Sequence, residues 1–408
     1  MTPTRPKLLF VHEMFGRLAG AEQNILVTAP HLAEAFDLAF LHWKRSGRDE
    51  AAFAALFPTP HAVDFASPDE AGVERAVAQV LATERPDLAY VHKCVSLPVT
   101  RALLAAGLPV VRMEHDHDVY CMRSYKYSPW TRRICTRRAG PCCLFPCLAF
   151  LARDRRRGAF GFRWVSYCRQ MELIRLNRRF DAHFVVTRYM RDELIRQGFP
   201  PERIHLFPPI PPPGPAVADR RVAGGHRILF VGQIVRGKGL DCLLRALPLL
   251  HEPWELVVLG DGSHRRHCEE LAARLDLGGR VHFAGFVSQE QLTLYYKEAV
   301  LVVVPSVWPE PIATIGLEVL RHGLPVVGFD AGGIRDWLID GETGCLVPWM
   351  DIPRLADRID HLLRHREEAR RLGEQGRAFV NRHFAFDAYI DRFKETFAKL
   401  IAGRSAGG

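Results

Sequence analysis

One stretch, PPIPPPGPAVADRRVAGGH at residues 208–226, constrains this chain more than any other. Proline cannot continue a helix or donate to a central strand, and glycine weakens both, so the stretch predicts a linker. The same pattern stands on either side of it. Before the linker, the short apolar runs KLLFV (7–11), DLAYVH (87–92), LPVVRMEHD (108–116) and AHFVVT (182–187) alternate with helical stretches. After it come RILFVG, WELVVLGDG, VHFAGFV, VLVVVPS, PVVGFD and GCLVP, again separated by helical stretches. Short apolar runs alternating with helices predict parallel strands buried on both faces. Each half is therefore expected to be an α/β, Rossmann-like, doubly wound domain, at 1–207 and 227–385. Such sheets bind ligands beyond the carboxyl ends of their strands, which predicts a site in a cleft between two facing domains. The tail 386–408 places Phe386, Tyr389, Phe393, Phe397 and Leu400 at helical spacing, an apolar stripe expected to pack back towards the first domain.

Several function classes are disfavoured by what the sequence lacks. GDGSHR offers Gly260 and Gly262 but no third glycine of a dinucleotide fingerprint, and there is neither a Walker lysine loop nor a G-x-S-x-G elbow. No apolar run is long enough to span a bilayer, and the start MTPTRPKLLFVHEMF carries no cleavable signal pattern, which predicts a cytoplasmic protein.

The net charge of +9 is unevenly spread: residues 121–191 hold 17 Lys/Arg against 3 Asp/Glu. A local excess of this kind predicts either a solvated basic face or an anionic partner such as membrane lipid, a lipid-linked phosphate or nucleic acid. The same region, a Cys/Arg-rich insertion over about 119–180, contains Cys121, Cys135, Cys142, Cys143 and Cys147 without C-x-x-C pairing. Free buried thiols or a zinc staple on Cys121, Cys135, Cys142 and Cys147 are the two readings. Within it, CCLFPCLAFLARDRRRGAFGFRW joins an apolar run to arginines and aromatics, suited to lying on an anionic membrane surface or to a core helix with a basic flank.

Two loops carry the pattern of strand, glycine, helix start. FVGQIVRGKG turns at Gly232 and brings Arg236 and Lys238 to the cleft mouth, and PEPIATIGLE follows VLVVVPS with Pro311 suited to a first helical turn. Helix amides facing cations favour a diphosphate. At helical geometry the eight positions from Glu310 to Glu318 rise about 12 Å, so the two carboxylates cannot share an acid/base role. Glu310 then falls near a reacting sugar and Glu318 near a ribose, unless Glu318 simply faces solvent.

Together, FVGQIVRGKG, VVLGDG, VHFAGFV, PSVWPEPIATIGLEVLRHGLPVVGFDAGG and DGETGCLVP resemble the donor half of the family 4 retaining glycosyltransferases of the GT-B fold. In the first half, GRLAGAEQNIL resembles that family's Gly-Gly-Ala-Glu loop and EHDHDVYC its His-Asp motif. The resemblance implies a nucleotide-diphosphate sugar as donor substrate, no cofactor and no metal. It places Lys238 on the donor diphosphate, Glu310 on sugar hydroxyls, Glu318 on the nucleotide ribose and His115 beside the reacting centre. Gly20, Gly232, Arg236, Ile312, Ala313 and Thr314 complete the implied donor-binding set. His115 also admits a purely structural reading as a hydrogen-bonded strand-end histidine. Two residues depart from the family pattern: Gln233 stands where an arginine is usual, and Ala19 replaces the first glycine of the pair. The expected activity is sugar transfer to an acceptor hydroxyl, lipid-linked or saccharide, in cell-envelope polysaccharide synthesis, peripheral to the inner face of the membrane. The rivals are a nucleotide-sugar epimerase or hydrolase of the same fold and a basic nucleic-acid-binding protein. The second lacks a recognition helix or stacking motif.

Overall fold

In the computed structural model the described residues are 5–17, 20–128, 131–153, 162–207 and 225–405. The proposed linker 208–226 thus lies almost entirely outside them, as do Ala19 and the arginines at 155–157. The chain forms two compact units: Met1–Lys126 with Cys135–Pro212 and Phe386–Gly408, and Tyr127–Ile134 with Pro213–Ala385.

The first unit is built on strands β1 (Lys7–Phe15), β2 (Asp37–Arg45), β3 (His61–Ala62), β4 (Leu88–Val91) and β5 (Val110–Glu114). A short antiparallel ribbon, β6 (Leu151–Arg153) and β7 (Phe162–Trp164), follows, and then β8 (Ala182–Val185) and β9 (Ile204–Leu206). The main sheet is parallel, in the order β3-β2-β1-β4-β5-β8-β9. Successive β1 side chains alternate between its faces. Leu9 and Val11 join Val77, Val91 and Val99 in one core, while Phe10 meets Phe40, Phe57 and Tyr90 in another.

That aromatic face is closed by the last helix, Phe386–Ser405. Phe393 packs on Phe184 and Phe207, Phe397 packs on Tyr90 and Phe36, and both are essentially unexposed. Asn24 donates to the Tyr389 hydroxyl at 3.2 Å beside them. The apolar stripe of the tail therefore belongs to the first unit, although Pro213–Ala385 of the second lies between.

The second unit carries β10 (Arg227–Val231), β11 (Glu255–Leu259), β12 (Val281–Gly285), β13 (Leu301–Val304), β14 (Val326–Phe329) and β15 (Gly344–Val347). All pair in parallel, in the order β12-β11-β10-β13-β14-β15. In both sheets the chain winds outward on one side of the first strand and then returns to its other side. The order reverses between β1 and β4 in the first unit and between β10 and β13 in the second. Loops leaving those strands diverge to opposite faces, opening a crevice at the carboxyl edge. Among the described residues no helix is long and apolar enough to cross a membrane.

Candidate functional site

At the β10/β13 switch point the loops are pressed together at backbone level. Gly232 leaves β10 at φ 139°, and a Cβ on Gly260 would stand 2.0 Å from the Gly232 carbonyl oxygen. The Arg236–Lys238 segment forms one 3-10 turn, ended by Gly239 at φ 70°. A Cβ there would come within 1.8 Å of the Pro305 carbonyl oxygen, so only glycine lets the two loops touch. The amide of Val307 donates to the Gly237 carbonyl at 2.8 Å and completes the contact.

This contact brings together side chains that are far apart in sequence. Glu310 is only 2% exposed, and its Oε1 accepts from Lys238 Nζ at 2.7 Å, Ser306 Oγ at 2.6 Å and Trp308 Nε1 at 2.7 Å. A buried carboxylate survives only with such donors around it. Its backbone is fixed as well, with its amide donating to Ala331 and its carbonyl accepting from Gly333. Lys238 Nζ also lies 5.5 Å from the centre of the Trp308 ring. Arg236 is exposed on the same turn, and so is Gln233 just before it.

The helix after Glu310 departs from the sequence expectation. It starts at Thr314 and ends at Arg321, and Pro311 lies outside it. Ala313 is the cap residue and adopts a left-handed conformation, φ 55° and ψ 67°, which stops the helix from extending backwards. Trp337 donates to the Ile312 carbonyl and fills the space beside Gly316. The rise of about 12 Å assumed a helix through all eight residues and is corrected: only Thr314 to Glu318 is helical, about 6 Å. Ile312 and Ala313 are buried, and Thr314 is exposed at the first helical position. Glu318 is half-buried rather than solvent-facing, and accepts from Gln289 Nε2 at 2.8 Å and from the Tyr296 hydroxyl at 3.4 Å. Burial pushes its carboxyl above the usual range, and the hydrogen bonds from Gln289 and Tyr296 oppose that rise.

A Cβ on Gly316 would stand 2.0–2.6 Å from the Trp337 ring. Gly316→Ala is therefore expected to lower stability by about 1–3 kcal/mol, the range for overpacking a filled site. Urea unfolding checks this; an unchanged or raised midpoint would show that the Trp337 ring can move aside.

In the first unit, polar groups gather at the equivalent edge. His12 ends the apolar run of β1, His92 follows β4, and His115 follows β5. His115 Nε2 and His92 Nδ1 lie 3.0 Å apart with the rings stacked, and His12 Nε2 lies 3.3 Å from Glu22 Oε1. Burial, helped by the charges of Arg112 and Lys93, lowers His115 to about 3. Burial also lowers His12 to about 4 against the pull of Glu22, and holds His92 well below its ordinary value. Three neutral imidazoles thus line this edge. Lys93 bonds Asp116 at 2.9 Å and Asp118 at 3.1 Å. His117 turns inward to the Tyr120 hydroxyl. Gly20 is the first residue of the Gly20–Leu32 helix, and a Cβ there would meet nothing within 4 Å.

The sign of the histidine effect is definite. Below pH 6.5 an unfolded chain protonates these rings while the folded one does not, so stability is lost as pH falls from about 6.5 towards 4. The melting temperature is expected to fall by several degrees between pH 7 and pH 5, and His92→Phe should flatten that slope. An equally steep profile in the variant would refute this cause.

The cysteines of the insertion have the geometry of free thiols, one of their two readings. All ten cysteines are free, and among the described residues no group of three or more His, Cys, Asp or Glu could hold a metal. Cys142 donates its thiol to the Arg138 carbonyl. Burial raises the Cys121 thiol and pushes that of Cys143 to about 11.

The sequence reading missed Ser306, Trp308, His12, His92, Lys93 and Arg132. The histidines had a signal, since FVHE, YVHK and MEHD each set a histidine at the end of a buried run. Arg132 had none. The segment Tyr127–Ile134, expected to be part of the first domain's insertion, belongs to the second unit. Its Arg132 bonds Asp241 at 2.9 Å and Cys242 Sγ at 3.5 Å, in the first turn of the helix that follows Gly239. Its root is held by a buried pair, Lys126 to Glu193 at 2.7 Å.

Comparison with known proteins accounts for both halves in order. The sequence model described as Glycosyltransferase Family 4 matches residues 18–210, and that described as Glycosyl transferases group 1 matches residues 220–379. The chain is 32% identical over 246 residues to a D-inositol 3-phosphate glycosyltransferase of Xylanimonas cellulosilytica, covering 55% of this chain and 58% of that one. It is 26% identical over 252 residues to a GDP-mannose-dependent alpha-(1-6)-phosphatidylinositol monomannoside mannosyltransferase of Mycolicibacterium smegmatis, covering 57% and 65%. The matches thus span less than two thirds of these curated relatives. In structure, the chain superposes on Anabaena HepE, solved in complex with UDP and glucose, with a TM-score of 0.73 at 17% identity over 97% of this chain and 100% of that one. That likeness establishes the α/β GT-B fold. With both halves matched and the fold in agreement, the chain belongs to the family 4 glycosyltransferases.

Proposed function

We propose that this chain transfers a sugar from a nucleotide-diphosphate sugar to an acceptor hydroxyl, with retention of configuration and without a metal. The observation that carries the reading is the convergence of Lys238, Ser306 and Trp308 on one oxygen of Glu310 at the β10/β13 switch point. All three donors use Oε1, and among the described residues Oε2 has no donor, so it can take a sugar hydroxyl. An ammonium has three N–H groups, so Lys238 can hold Glu310 and a phosphate oxygen together. The diphosphate would lie between that turn, Arg236 and the free amides at Thr314, where the helix dipole favours negative charge. Glu318 would accept from ribose hydroxyls. As the sugar departs, the charge growing on the diphosphate would be met by groups already in place, which is where such sites gain most.

A lipid-linked acceptor in cell-envelope polysaccharide synthesis, reached from the cytoplasmic side, is the acceptor side of this reading. The Mycolicibacterium relative supports it, being named for a lipid acceptor and a GDP-sugar donor. His115 and the Lys93–Asp116–Asp118 group are the first unit's candidates for receiving that acceptor.

A thermal-shift screen of UDP-, GDP- and ADP-sugars tests the donor, since a ligand bound to the folded state raises the melting point. The donor that stabilises most is then given with and without phosphatidylinositol or a lipid extract, and nucleotide release is followed. Acceptor-dependent release is expected. Full-rate release without acceptor would assign a hydrolase or epimerase. RNA binding with no nucleotide-sugar stabilisation would overturn the reading altogether.

A further inference from the structure

His115 stands just after β5 at the carboxyl edge of the first unit's sheet, and the end of the neighbouring strand β4 holds it there. His92 Nδ1 lies 3.0 Å from His115 Nε2, and one residue further along both loops Lys93 Nζ lies 2.9 Å from Asp116 Oδ2. The holding residues are themselves tied to β1. The His92 amide donates to the Val11 carbonyl at 2.9 Å, and the Lys93 carbonyl accepts from the Glu13 amide at 2.8 Å. His92 is 1% exposed, with its ring against those of Phe10 and Tyr90. His115 is half-buried, and among the described residues its Nδ1 meets no partner.

One proton lies between the two rings, and the surroundings decide which ring owns it. Both imidazoles are neutral at pH 7, since burial lowers His115 to about 3 and holds His92 well below its ordinary value. A neutral imidazole has one N–H and one bare nitrogen. If His115 Nε2 were the donor, His92 would carry its own proton on Nε2, an atom buried without a partner. His12, whose ring centre is 6.4 Å from that of His92, offers no acceptor for it. Its Nδ1 already takes the Met14 amide at 2.8 Å, so its Nε2 bears the proton, 3.3 Å from Glu22 Oε1. If His92 Nδ1 is the donor, the buried Nε2 becomes a bare acceptor instead. Orphaned N–H groups are the rarer of these two in protein interiors, which favours the second arrangement.

We propose that His92 is a positioning residue: by donating from its Nδ1 it keeps the proton of His115 on Nδ1, so that His115 presents an N–H to the acceptor substrate. A ring in that state can donate to an oxygen of the acceptor and orient it, but cannot take the proton of the attacking hydroxyl. This rests on the proposed function, which brings the acceptor to His115.

The test is nitrogen NMR of the full chain isotopically labelled at its histidines, at pH 7, with His115→Gln assigning the signal. His115 is expected to be protonated at Nδ1, the reverse of the form that a free neutral side chain prefers. In His92→Phe, which keeps the aromatic packing, the His115 signals should move towards values averaged over both forms. With donor and acceptor supplied, that variant should lower kcat by roughly tenfold, the worth of one hydrogen bond, and leave the donor KM within about twofold. His92→Asn, whose side-chain amide can donate from nearly the same place, should restore most of the rate. A His115 protonated at Nε2 in the wild type, wild-type kcat in His92→Phe, or an equal loss in His92→Asn would overturn the proposal. A chain that transfers no sugar would sink the proposed function, and the nitrogen spectrum would still confirm or refute the assignment of the proton between His92 and His115.

Discussion

Lys238→Ala is expected to lower sugar transfer by roughly 10²–10³-fold, the scale on which removing one preorganised charge-stabilising group acts. The same change removes the cation from a carboxylate that is only 2% exposed. Glu310 would keep Ser306 and Trp308 as donors, but without Lys238 its charge becomes costly, and stability should fall by about 1–3 kcal/mol. Lys238→Met combined with Glu310→Gln separates the two effects. The neutral amide oxygen can still accept from Ser306 and Trp308, so the double variant should melt close to wild type while remaining inactive. Unfolding in urea and nucleotide release with acceptor present are the two measurements. Near-wild-type turnover in Lys238→Ala would sink the site, whatever happened to stability.

Arg132→Ala carries the largest expected loss of stability. Arg132 is 9% exposed and Asp241 6%, and Asp241 Oδ1 already lacks a hydrogen-bond partner. Breaking a buried pair from one side leaves the other charge uncompensated, at about 3–5 kcal/mol. Adding Asp241→Asn should return most of that loss, because the orphaned charge is gone. Asp241 stands in the first turn after Gly239, so Arg132→Ala should also raise the KM for the nucleotide sugar more than it lowers kcat. A shift below 1 kcal/mol in urea unfolding would show that water reaches Asp241 and screens it.

Much of the architecture is legible because parallel strands are buried on both faces. LVVV at β13 and ELVVL at β11 can hardly be anything else. By contrast β3 has two residues and β9 three, too few to carry a period, and both were found only in the fold. Lys238 and Glu310 were legible as separate donor-loop residues, but their pairing was not. They are 72 positions apart, and only the adjacency of β10 and β13 brings them together. The helix start was misread for a local reason. Pro311 suits a first turn, yet the left-handed Ala313 and the hydrogen bond from Trp337 to Ile312 set the start at Thr314, and neither leaves a trace in the residue types. Arg132 is the hardest case, since nothing in a run of arginines marks the one that is buried.

The order of synthesis gives the last helix a further meaning. The ribosome makes Tyr90, Phe184 and Phe207 early, but Phe393 and Phe397, which cover them, emerge only after the whole second unit has been made. Throughout that interval the growing chain carries an uncovered aromatic face, the kind of surface that chaperones hold and proteases find. A truncated product would keep that face bare. The 20 residues from Phe386 therefore cover a face of the first unit that must wait, uncovered, until they are made.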